Sequence, residues 1–228
     1  MTDLVKGSIR SQIVPIRRSK RIFDLISLVI SSPFVFTVFL MICTAYIAFM
    51  VFYPDERGAL FHSERRYSRG KIFNIIKFRT IRDDVLREIT DREKENVFVK
   101  KLEQNRSNLT RLGFVLKQLY LDEIPQFWCI LKGEMSLVGP RPWAVVETER
   151  SLVKGHYNKF VCWPGLLGFV QVQKDDPVDN KVSRNDNCIR NDNIYLKLYN
   201  EAVWWQLLKM DARIVLKAFI IVVKAEGL

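Results

Sequence analysis

The chain has 228 residues, which is enough for one ordinary domain and a small addition. Its 36 lysines and arginines outnumber its 25 acidic residues, and the formal net charge is +11. This excess predicts an anionic partner, whether nucleic acid, anionic lipid headgroups or a phosphorylated substrate, and charge alone does not choose among them. The four cysteines form no C-x-x-C pair, which argues against a structural zinc site and favours reduced thiols.

A basic arm, residues 1–21, precedes a long apolar segment that we assign to residues 22–53. From Ile22 to Val51 the only charged residue is Asp24, and the run exceeds the roughly 20 residues that a helix needs to cross a bilayer. A cleaved signal peptide does not fit, because the run is too long and no small-residue cleavage site follows it. The sequence therefore predicts a segment inserted into a membrane.

Ser32 and Pro33 interrupt this segment about a third of the way along. Proline removes a backbone donor and clashes with the preceding turn, so we expect a kink or a break there. Serine hydroxyls can satisfy the freed carbonyls. Two topologies remain open: a kinked spanning helix, or a helix-break-helix that enters and leaves by the same face. Positive charge favours the cytoplasmic side, and it flanks both ends, at Arg17, Arg18, Lys20 and Arg21 and at Arg57, Arg65, Arg66, Arg69 and Lys71.

The rest of the chain shows elements of both secondary-structure types. Residues 61–80 are rich in β-branched and aromatic residues, and Gly58 and Gly70 serve as boundaries of the strand-like runs. This pattern predicts a short hairpin. The charge-dense stretch 82–105 is typical of an exposed amphipathic helix, and a solvated face is the simpler interpretation of its charges.

Two further helices are predicted. Asn108-Leu109-Thr110 is typical of a helix start, and the apolar residues Leu112, Val115, Leu116 and Leu119 follow with helical spacing. This pattern places Lys117 near the end of that helix. Residues 194–223 read as one helix, in which two tryptophans and three basic residues can lie at a membrane interface or close the core.

Two adjacent carboxylates, Asp122 and Glu123, stand just beyond the predicted helix end and beside Pro125. Proline fixes the local backbone and so predicts a bend that holds both acids in one place. In a basic chain, such a pair beside a basic loop suggests phosphate chemistry with a divalent metal. A helix end with two solvated acids is the plain alternative.

Arg141 has a physical case of its own as a phosphate ligand. It lies between Pro140 and Pro142, so its backbone has little freedom to lose on binding. A planar guanidinium presented in this way suits bidentate contact with phosphate oxygens. A surface turn with an exposed arginine is the alternative.

The order of motifs resembles one family, the bacterial sugar transferases that are monotopic phosphoglycosyl transferases. The similarity runs from about Lys20 to the C-terminus. Each motif alone is weak, but six in order are specific. They are Lys20-Arg-Ile-Phe-Asp24, Ser32-Pro33, Lys77-Phe-Arg-Thr80, Leu121-Asp-Glu-Ile-Pro-Gln126, Gly133-Glu-Met-Ser-Leu-Val-Gly-Pro-Arg-Pro142, and Pro164-Gly-Leu-Leu-Gly168 with Gln171-Val172.

The resemblance implies a covalent, ping-pong reaction. Asp122 would attack the sugar-bearing phosphorus of a nucleotide-diphosphate sugar, with UDP as the expected nucleotide, and polyprenyl (undecaprenyl) phosphate would accept the phospho-sugar. Glu123 would hold Mg²⁺ or Mn²⁺. Basic and polar side chains would contact the phosphates and the rest of the substrate: Arg141, Lys117, Lys77, Arg79, Arg65 and Gln171.

The resemblance also implies an architecture and a location. The fold class is α+β and mostly helical, with a small cytosolic catalytic domain at residues 54–228 that contains the hairpin. A re-entrant helix broken at Ser32-Pro33 and interfacial amphipathic helices would anchor it to the cytoplasmic face of the bacterial inner membrane. Anionic lipids and downstream glycosyltransferases are the further expected partners, and no nucleic acid is expected.

Several residues depart from the family pattern, including Phe169, Gln173-Lys174 and three further aromatic residues. Trp163 stands where arginine is usual, Tyr67 where glycine is common, and Tyr120 where small or hydroxyl residues are usual. They leave the acidic pair intact but motivate a second hypothesis, a membrane scaffold for glycan assembly without turnover. A third, a membrane-tethered nucleic-acid binder, rests on net charge alone and lacks any recognisable module.

Overall fold

A computed structural model describes residues 7, 9–92, 102–168 and 184–223. Across these residues the fold is mostly helical, with two small sheets of two strands each. By its contacts the chain divides into two compact units. The first unit comprises Met1–Val29, Glu64–Ile75 and Phe127–Ile221, and the second comprises Ile30–Ser63, Ile76–Gln126 and Val222–Leu228.

Within the described residues, three short 3₁₀ turns lie at Arg10–Gln12, Pro54–Glu56 and Arg106–Asn108. The helices are α1 (Arg18–Phe52), α2 (Asp83–Arg92), α3 (Arg111–Gln118), α4 (Phe127–Lys132), α5 (Val145–Val153), α6 (Asn158–Val161), α7 (Arg184–Glu201) and α8 (Trp204–Val223), with a six-residue 3₁₀ helix at Leu121–Gln126. The strands are β1 (Phe61–Ser68), β2 (Lys71–Phe78), β3 (Ser136–Val138) and β4 (Gly165–Leu167).

Helix α1 contains the apolar segment that the sequence predicts to enter a membrane. It is long and apolar enough to cross a bilayer by length and composition, and only 11% of its most apolar 18 residues are buried. Large apolar side chains therefore face outward, such as Ile30 at 75% and Phe34 at 71% exposure. The helical hydrogen-bonding pattern runs through Pro33, so the expected break does not divide the segment into two separate helices. Thr37 donates its hydroxyl to the carbonyl of Pro33 at 2.8 Å, which gives the proline's own carbonyl a side-chain partner.

The basic residues at the start of α1 are bound within the first unit. Arg17 donates to the carbonyls of Tyr199 and Ala202, and Arg21 donates to those of Ile130 and Leu131. Both arginines thus satisfy carbonyls at helix C-terminal ends, where the helix itself leaves them without partners. These contacts show that Arg17 and Arg21 stabilise the fold of the first unit, in addition to the expected preference of their charge for the cytoplasmic side.

Lys20 is buried beside two aspartates in the first unit. Its ammonium lies 2.7 Å from a carboxylate oxygen of Asp211 and 3.7 Å from one of Asp24. Asp24 also accepts from the Leu137 amide at 3.2 Å. Because a buried charge is costly without a partner, this cluster fixes the start of α1 against helix α8 and strand β3.

The predicted hairpin is confirmed. Strands β1 and β2 pair in one sheet and are joined by Arg69 and Gly70. Both residues have positive φ, 48° and 75°, which is the pattern of a two-residue type I′ turn whose twist matches the strands. Glycine adopts this conformation without steric cost, so Gly70 suits the second position of the turn.

A parallel pair of short strands, β3 and β4, organises the core of the first unit and was not predicted. Ser136 pairs with Gly165 and Val138 with Leu167. Ile130, Met135 and Val138 are fully buried around it. A Cβ atom at Gly165 would lie 2.0 Å from the Gly139 nitrogen, so glycine is required for this close approach.

The core of the second unit forms around Ile42, Tyr46, Phe78 and Leu116. The rings of Phe78 and Tyr46 stack with centroids 5.8 Å apart. Leu121 and Ile124 from the 3₁₀ helix pack against this cluster. The core therefore supports the turn that carries the two adjacent acids.

The helix predicted over residues 194–223 is wrong as a single element, because α7 ends at Glu201 and α8 begins at Trp204. The side chain of Gln206 accepts from the Val203 amide at 3.1 Å, as the third residue of a new helix does in a capping box. The Arg17 side chain donates a hydrogen bond to the carbonyl of Ala202, which lies between α7 and α8. Of the helix predicted over residues 82–105, Asp83–Arg92 is confirmed, and 93–101 lie outside the described residues.

Candidate functional site

Helix α3 and the turn after it position the two adjacent acids. Thr110 is the N-cap of α3 and accepts from the Gly113 amide at 2.9 Å. A Cβ atom at Gly113 would lie 2.4 Å from the Thr80 carbonyl oxygen, so this helix can approach that backbone only with glycine. Tyr120 then takes a left-handed conformation with φ of 56°, which turns the chain into the 3₁₀ helix. The start and end of α3 agree with the sequence prediction.

Asp122 and Glu123 are both buried in the second unit, at 5% and 8% exposure. They are not solvated acids at a helix end, as the plain alternative proposed. Burial raises the pKa of Asp122 to about 6, and the charge of Glu123 adds to the rise while Lys77 and Lys117 oppose it. A carboxylate of this pKa is largely ionised at neutral pH yet is destabilised in its ionised form. Such a group is suited to react as a nucleophile or to bind a cation.

Two lysines and a third acid surround the pair. The Lys77 ammonium on β2 lies 3.5 Å from Glu123 Oε1. Lys117, in the last turn of α3, forms an ion pair with Glu103, which also accepts from the Thr80 hydroxyl at 3.3 Å. Since Lys77 and Lys117 both act on the Asp122 carboxylate, the structure brings these two predicted phosphate ligands together with the acids. Glu103 was missed because the dense charges around it were interpreted as a solvated face.

Arg79 has a position that the sequence did not predict. Its side chain is 1% exposed, and it donates to the carbonyls of Ala59 and Glu56, each at 2.6 Å, and of Ile81 at 3.1 Å. A guanidinium that satisfies three backbone carbonyls holds together the loop before β1 and the end of β2. This arrangement gives Arg79 a structural role, because its guanidinium donors are used by backbone carbonyls.

The remaining predicted residues lie in other parts of the chain. Arg141, with Pro140 and Pro142, follows strand β3 in the first unit, and Arg65 is exposed on β1 in the same unit. Gln171 lies outside the described residues. Ser32 and Pro33 lie inside α1, and buried Pro125 lies within the 3₁₀ helix.

The residues of the acidic pair fit a magnesium ion of the kind that substrate phosphates help to bind. Among the residues that the structure describes, no group of three His, Cys, Asp or Glu side chains could enclose a metal. Mg²⁺ commonly uses one or two carboxylates together with substrate phosphates and water. Glu123 already has a cationic neighbour, the Lys77 ammonium. The donor set therefore suits a metal that arrives with a phosphorylated ligand.

Two buried carboxylates flanked by two lysines have the charges and donor atoms that suit phosphate groups and a divalent cation. Comparisons with known proteins agree with this chemistry. The bacterial sugar transferase family model matches residues 16–225. The chain therefore belongs to the bacterial sugar transferase family.

The relatives differ in how much of their length this chain covers. An uncharacterized sugar transferase of Haemophilus influenzae is 36% identical over 133 residues, which is 55% of this chain and 28% of that protein. The exopolysaccharide production protein ExoY of Rhizobium meliloti is 33% identical over 191 residues, 79% of this chain and 80% of that protein. The undecaprenyl-phosphate galactose phosphotransferase of Salmonella typhimurium is 32% identical over 221 residues, 91% of this chain and 41% of that protein. The chain thus spans under half the length of the Haemophilus and Salmonella proteins.

Two of the departures from the family pattern are built into the packing of the first unit. Trp163 is 5% exposed and donates its indole N–H to the Gly133 carbonyl at 3.1 Å. Tyr67 donates its hydroxyl to Glu149 at 2.9 Å, and its ring lies 5.0 Å from that of Phe160. Both side chains have satisfied polar groups, as buried aromatic residues require. Neither contact gives the scaffold hypothesis specific support.

Proposed function

We propose that this protein is a phosphoglycosyl transferase that moves a sugar phosphate from a UDP-sugar to undecaprenyl phosphate. The products are undecaprenyl-diphospho-sugar and UMP, and the step would begin the assembly of an extracellular or surface glycan. The observation that carries the proposal is the buried Asp122–Glu123 pair between Lys77 and Lys117. The names of relatives support the substrate class, since one is a UDP-glucose:undecaprenyl-phosphate glucose-1-phosphate transferase, 30% identical over 168 residues.

Asp122 acts as the nucleophile in the first half-reaction. Its carboxylate oxygen bonds to the sugar-bearing phosphorus, and the bond from that phosphorus to the bridging oxygen breaks. UMP leaves with the electron pair, and an acyl phosphate joins Asp122 to the phospho-sugar. In the second half-reaction a phosphate oxygen of the lipid attacks the same phosphorus, and the Asp122 carboxylate is regenerated.

The cations around Asp122 make this attack feasible. A carboxylate that approaches a diphosphate faces repulsion between like charges, and this repulsion is strong in a partly dry site. Lys77 and Lys117 place positive charge beside the nucleophile and can bind the non-bridging oxygens. Arg141, which belongs to the first unit, stays a further phosphate ligand predicted from the sequence.

Glu123 is the proposed ligand of a Mg²⁺ ion, with Mn²⁺ as an alternative. When bound, the ion neutralises part of the charge on the substrate diphosphate. Glu123 itself keeps the adjacent Asp122 destabilised as an anion, because its charge raises the pKa of Asp122. The two acids thus have separate tasks, one for the covalent bond and one for the cation.

The location that we propose is the cytoplasmic face of the bacterial inner membrane. Helix α1 exposes a long apolar surface, and the lipid substrate carries its phosphate at headgroup level. The nucleotide sugar is soluble in the cytosol. An enzyme held at this interface meets both substrates.

The proposed function is tested by incubating purified protein in lipid nanodiscs with undecaprenyl phosphate, Mg²⁺ and a set of UDP-sugars. Release of UMP and formation of lipid-linked sugar phosphate are measured together. We expect both products in equal amounts with one or a few of the sugars. Absence of UMP with every nucleotide sugar, under conditions in which a relative is active, would favour the scaffold hypothesis.

Glu103→Gln is expected to shift the pH dependence of the reaction. Glu103 raises the pKa of Asp122 by like charge and also pairs with Lys117. Removal of its charge lowers the pKa of Asp122, so the acid limb of the kcat/KM profile moves to lower pH. A matched control is Asp84→Asn, which removes an exposed acid paired with Arg82 in the same unit. An acid limb that moves equally in both variants would contradict the assignment.

A further inference from the structure

Lys159 of helix α6 is buried in the first unit and contacts both another helix and the loop that carries Arg141. Its side chain is 4% exposed and forms an ion pair with Asp192 of α7, which is 2% exposed. The same ammonium donates to the backbone carbonyl of Arg141 at 2.9 Å. It also lies 4.9 Å from the ring centroid of Trp143. One cation therefore joins α6, α7 and the proline-bounded loop.

The loop around Arg141 is held at two successive carbonyls. The Gly165 amide on β4 donates to the Pro140 carbonyl at 3.1 Å, and Lys159 donates to the Arg141 carbonyl. One residue earlier, the Gly139 amide donates to the Leu167 carbonyl at 3.0 Å. The peptide groups on both sides of the Arg141 Cα atom are thus fixed. The direction in which its side chain leaves the backbone is fixed with them.

Burial of a lysine and an aspartate carries a large desolvation penalty, which packing of apolar residues against the loop would avoid. Taking an ammonium and a carboxylate out of water costs several kcal/mol for each ion, and well-packed apolar residues often serve stability equally well. The pair gains geometric definition, because the Lys159 ammonium has Asp192 and the Arg141 carbonyl as partners in fixed directions. A bidentate phosphate contact needs this definition, since a small displacement of the guanidinium loses one of its two hydrogen bonds.

We propose that Lys159 is a positioning residue, which fixes the Arg141 backbone so that its guanidinium binds the diphosphate of the nucleotide sugar. The inference rests on the proposed function for the identity of the ligand. Asp192 forms an ion pair with Lys159 and so fixes the position of its ammonium group. Neither residue touches the substrate, and both act through Arg141.

The test is a double-mutant cycle that joins Lys159→Met/Asp192→Asn to Arg141→Ala. The combined change removes both buried charges together and so avoids a lone buried ion. We expect it to lower kcat/KM for the UDP-sugar by about 10–100-fold, the usual effect of losing a residue that orients a ligand. In the Arg141→Ala background the same change should alter kcat/KM by less than about 2-fold, because the residue through which it acts is already gone.

Two further measurements separate positioning from a general loss of stability. Lys159→Arg keeps the charge and the hydrogen-bond donors, and we expect this variant to retain most of the wild-type kcat/KM. Tyr67→Phe removes the hydrogen bond to Glu149 in the same unit and should lower Tm without changing kcat/KM. A fall in kcat/KM of equal size in both Arg141 backgrounds would overturn the proposal, as would wild-type kinetics in Lys159→Met/Asp192→Asn.

Binding of UDP with Mg²⁺, measured by calorimetry for the same variants, makes the test independent of turnover. If wild-type protein binds UDP but transfers no sugar phosphate, the proposed reaction fails. The positioning role is then supported if Lys159→Met/Asp192→Asn lowers the affinity for UDP in the wild-type background but not in the Arg141→Ala background. If the affinity loss is the same in both backgrounds, the positioning role itself is refuted.

Discussion

Asp122→Asn is expected to reduce sugar-phosphate transfer by at least about 1,000-fold, because loss of a covalent nucleophile costs factors of this order or more. The amide has nearly the shape of the protonated acid, so the buried site should remain folded. An amide oxygen cannot form the acyl phosphate that the proposed first half-reaction requires. UMP release and lipid-linked product, measured in the same nanodisc reaction, should fall together.

The matched control for this variant is Asp84→Asn, an exposed acid of the second unit. It loses the same formal charge and should keep wild-type rates. Glu123→Gln is a second comparison, and higher Mg²⁺ concentration should recover part of its loss but none of the loss in Asp122→Asn. Transfer by Asp122→Asn at more than a few per cent of the wild-type rate would remove Asp122 from the role of nucleophile.

The same substitution is expected to stabilise the protein at neutral pH. Burial raises the pKa of Asp122 to about 6, from about 3.9 in an unfolded chain. The folded state therefore favours the protonated acid, and wild-type stability falls as pH rises from about 4 through about 6. Asparagine has no proton to lose. Above pH 7 the free energy of unfolding of Asp122→Asn should exceed that of the wild type by about 2–3 kcal/mol.

This stability difference is measured as Tm against pH in detergent, for wild type and variant side by side. The two curves should meet near pH 4 and separate as pH rises through about 6. Asp84→Asn provides the control, since Arg82 lowers the pKa of that acid and its loss has no reason to stabilise the protein at neutral pH. Parallel curves for Asp122→Asn and wild type across this range would show that the pKa of Asp122 is not raised.

The sequence predicted the local elements around the site well, because each has a short-range cause. Thr110 caps a helix by accepting from an amide three residues on, and Gly70 permits a tight turn. The acidic pair was found because proline and two adjacent carboxylates occupy six consecutive residues. All these signals lie within one or two turns of chain.

The contacts that the sequence did not predict join residues far apart along the chain. Arg79 was predicted as a phosphate ligand because it belongs to a basic motif. In the structure its guanidinium donates to the backbone carbonyls of Glu56 and Ala59. The parallel pairing of β3 and β4 connects strands of three residues each, too short for an alternating pattern. The break between α7 and α8 depends on Gln206 and on a partner near the N-terminus, Arg17. No periodicity of the local sequence carries this information.

Helix α1 has two candidate membrane topologies, a span and a re-entrant segment. Its composition satisfies the requirement for a span, and its serine-proline pair lies inside a continuous helical pattern. Cysteines introduced near Gly7 and near Gly58 can be labelled from either side of sealed vesicles. A re-entrant segment leaves both accessible from one side, and a spanning helix leaves them accessible from opposite sides.

The covalent role of Asp122 is tested most directly by intact-protein mass spectrometry after incubation with Mg²⁺ and the UDP-sugar substrate, without undecaprenyl phosphate. We expect release of up to one UMP per protein and a mass increase of one sugar phosphate. Fragmentation should locate the added mass on Asp122, and addition of the lipid phosphate should discharge it. Transfer that requires both substrates at once, with no adduct and no UMP release before the lipid is added, would contradict the covalent mechanism.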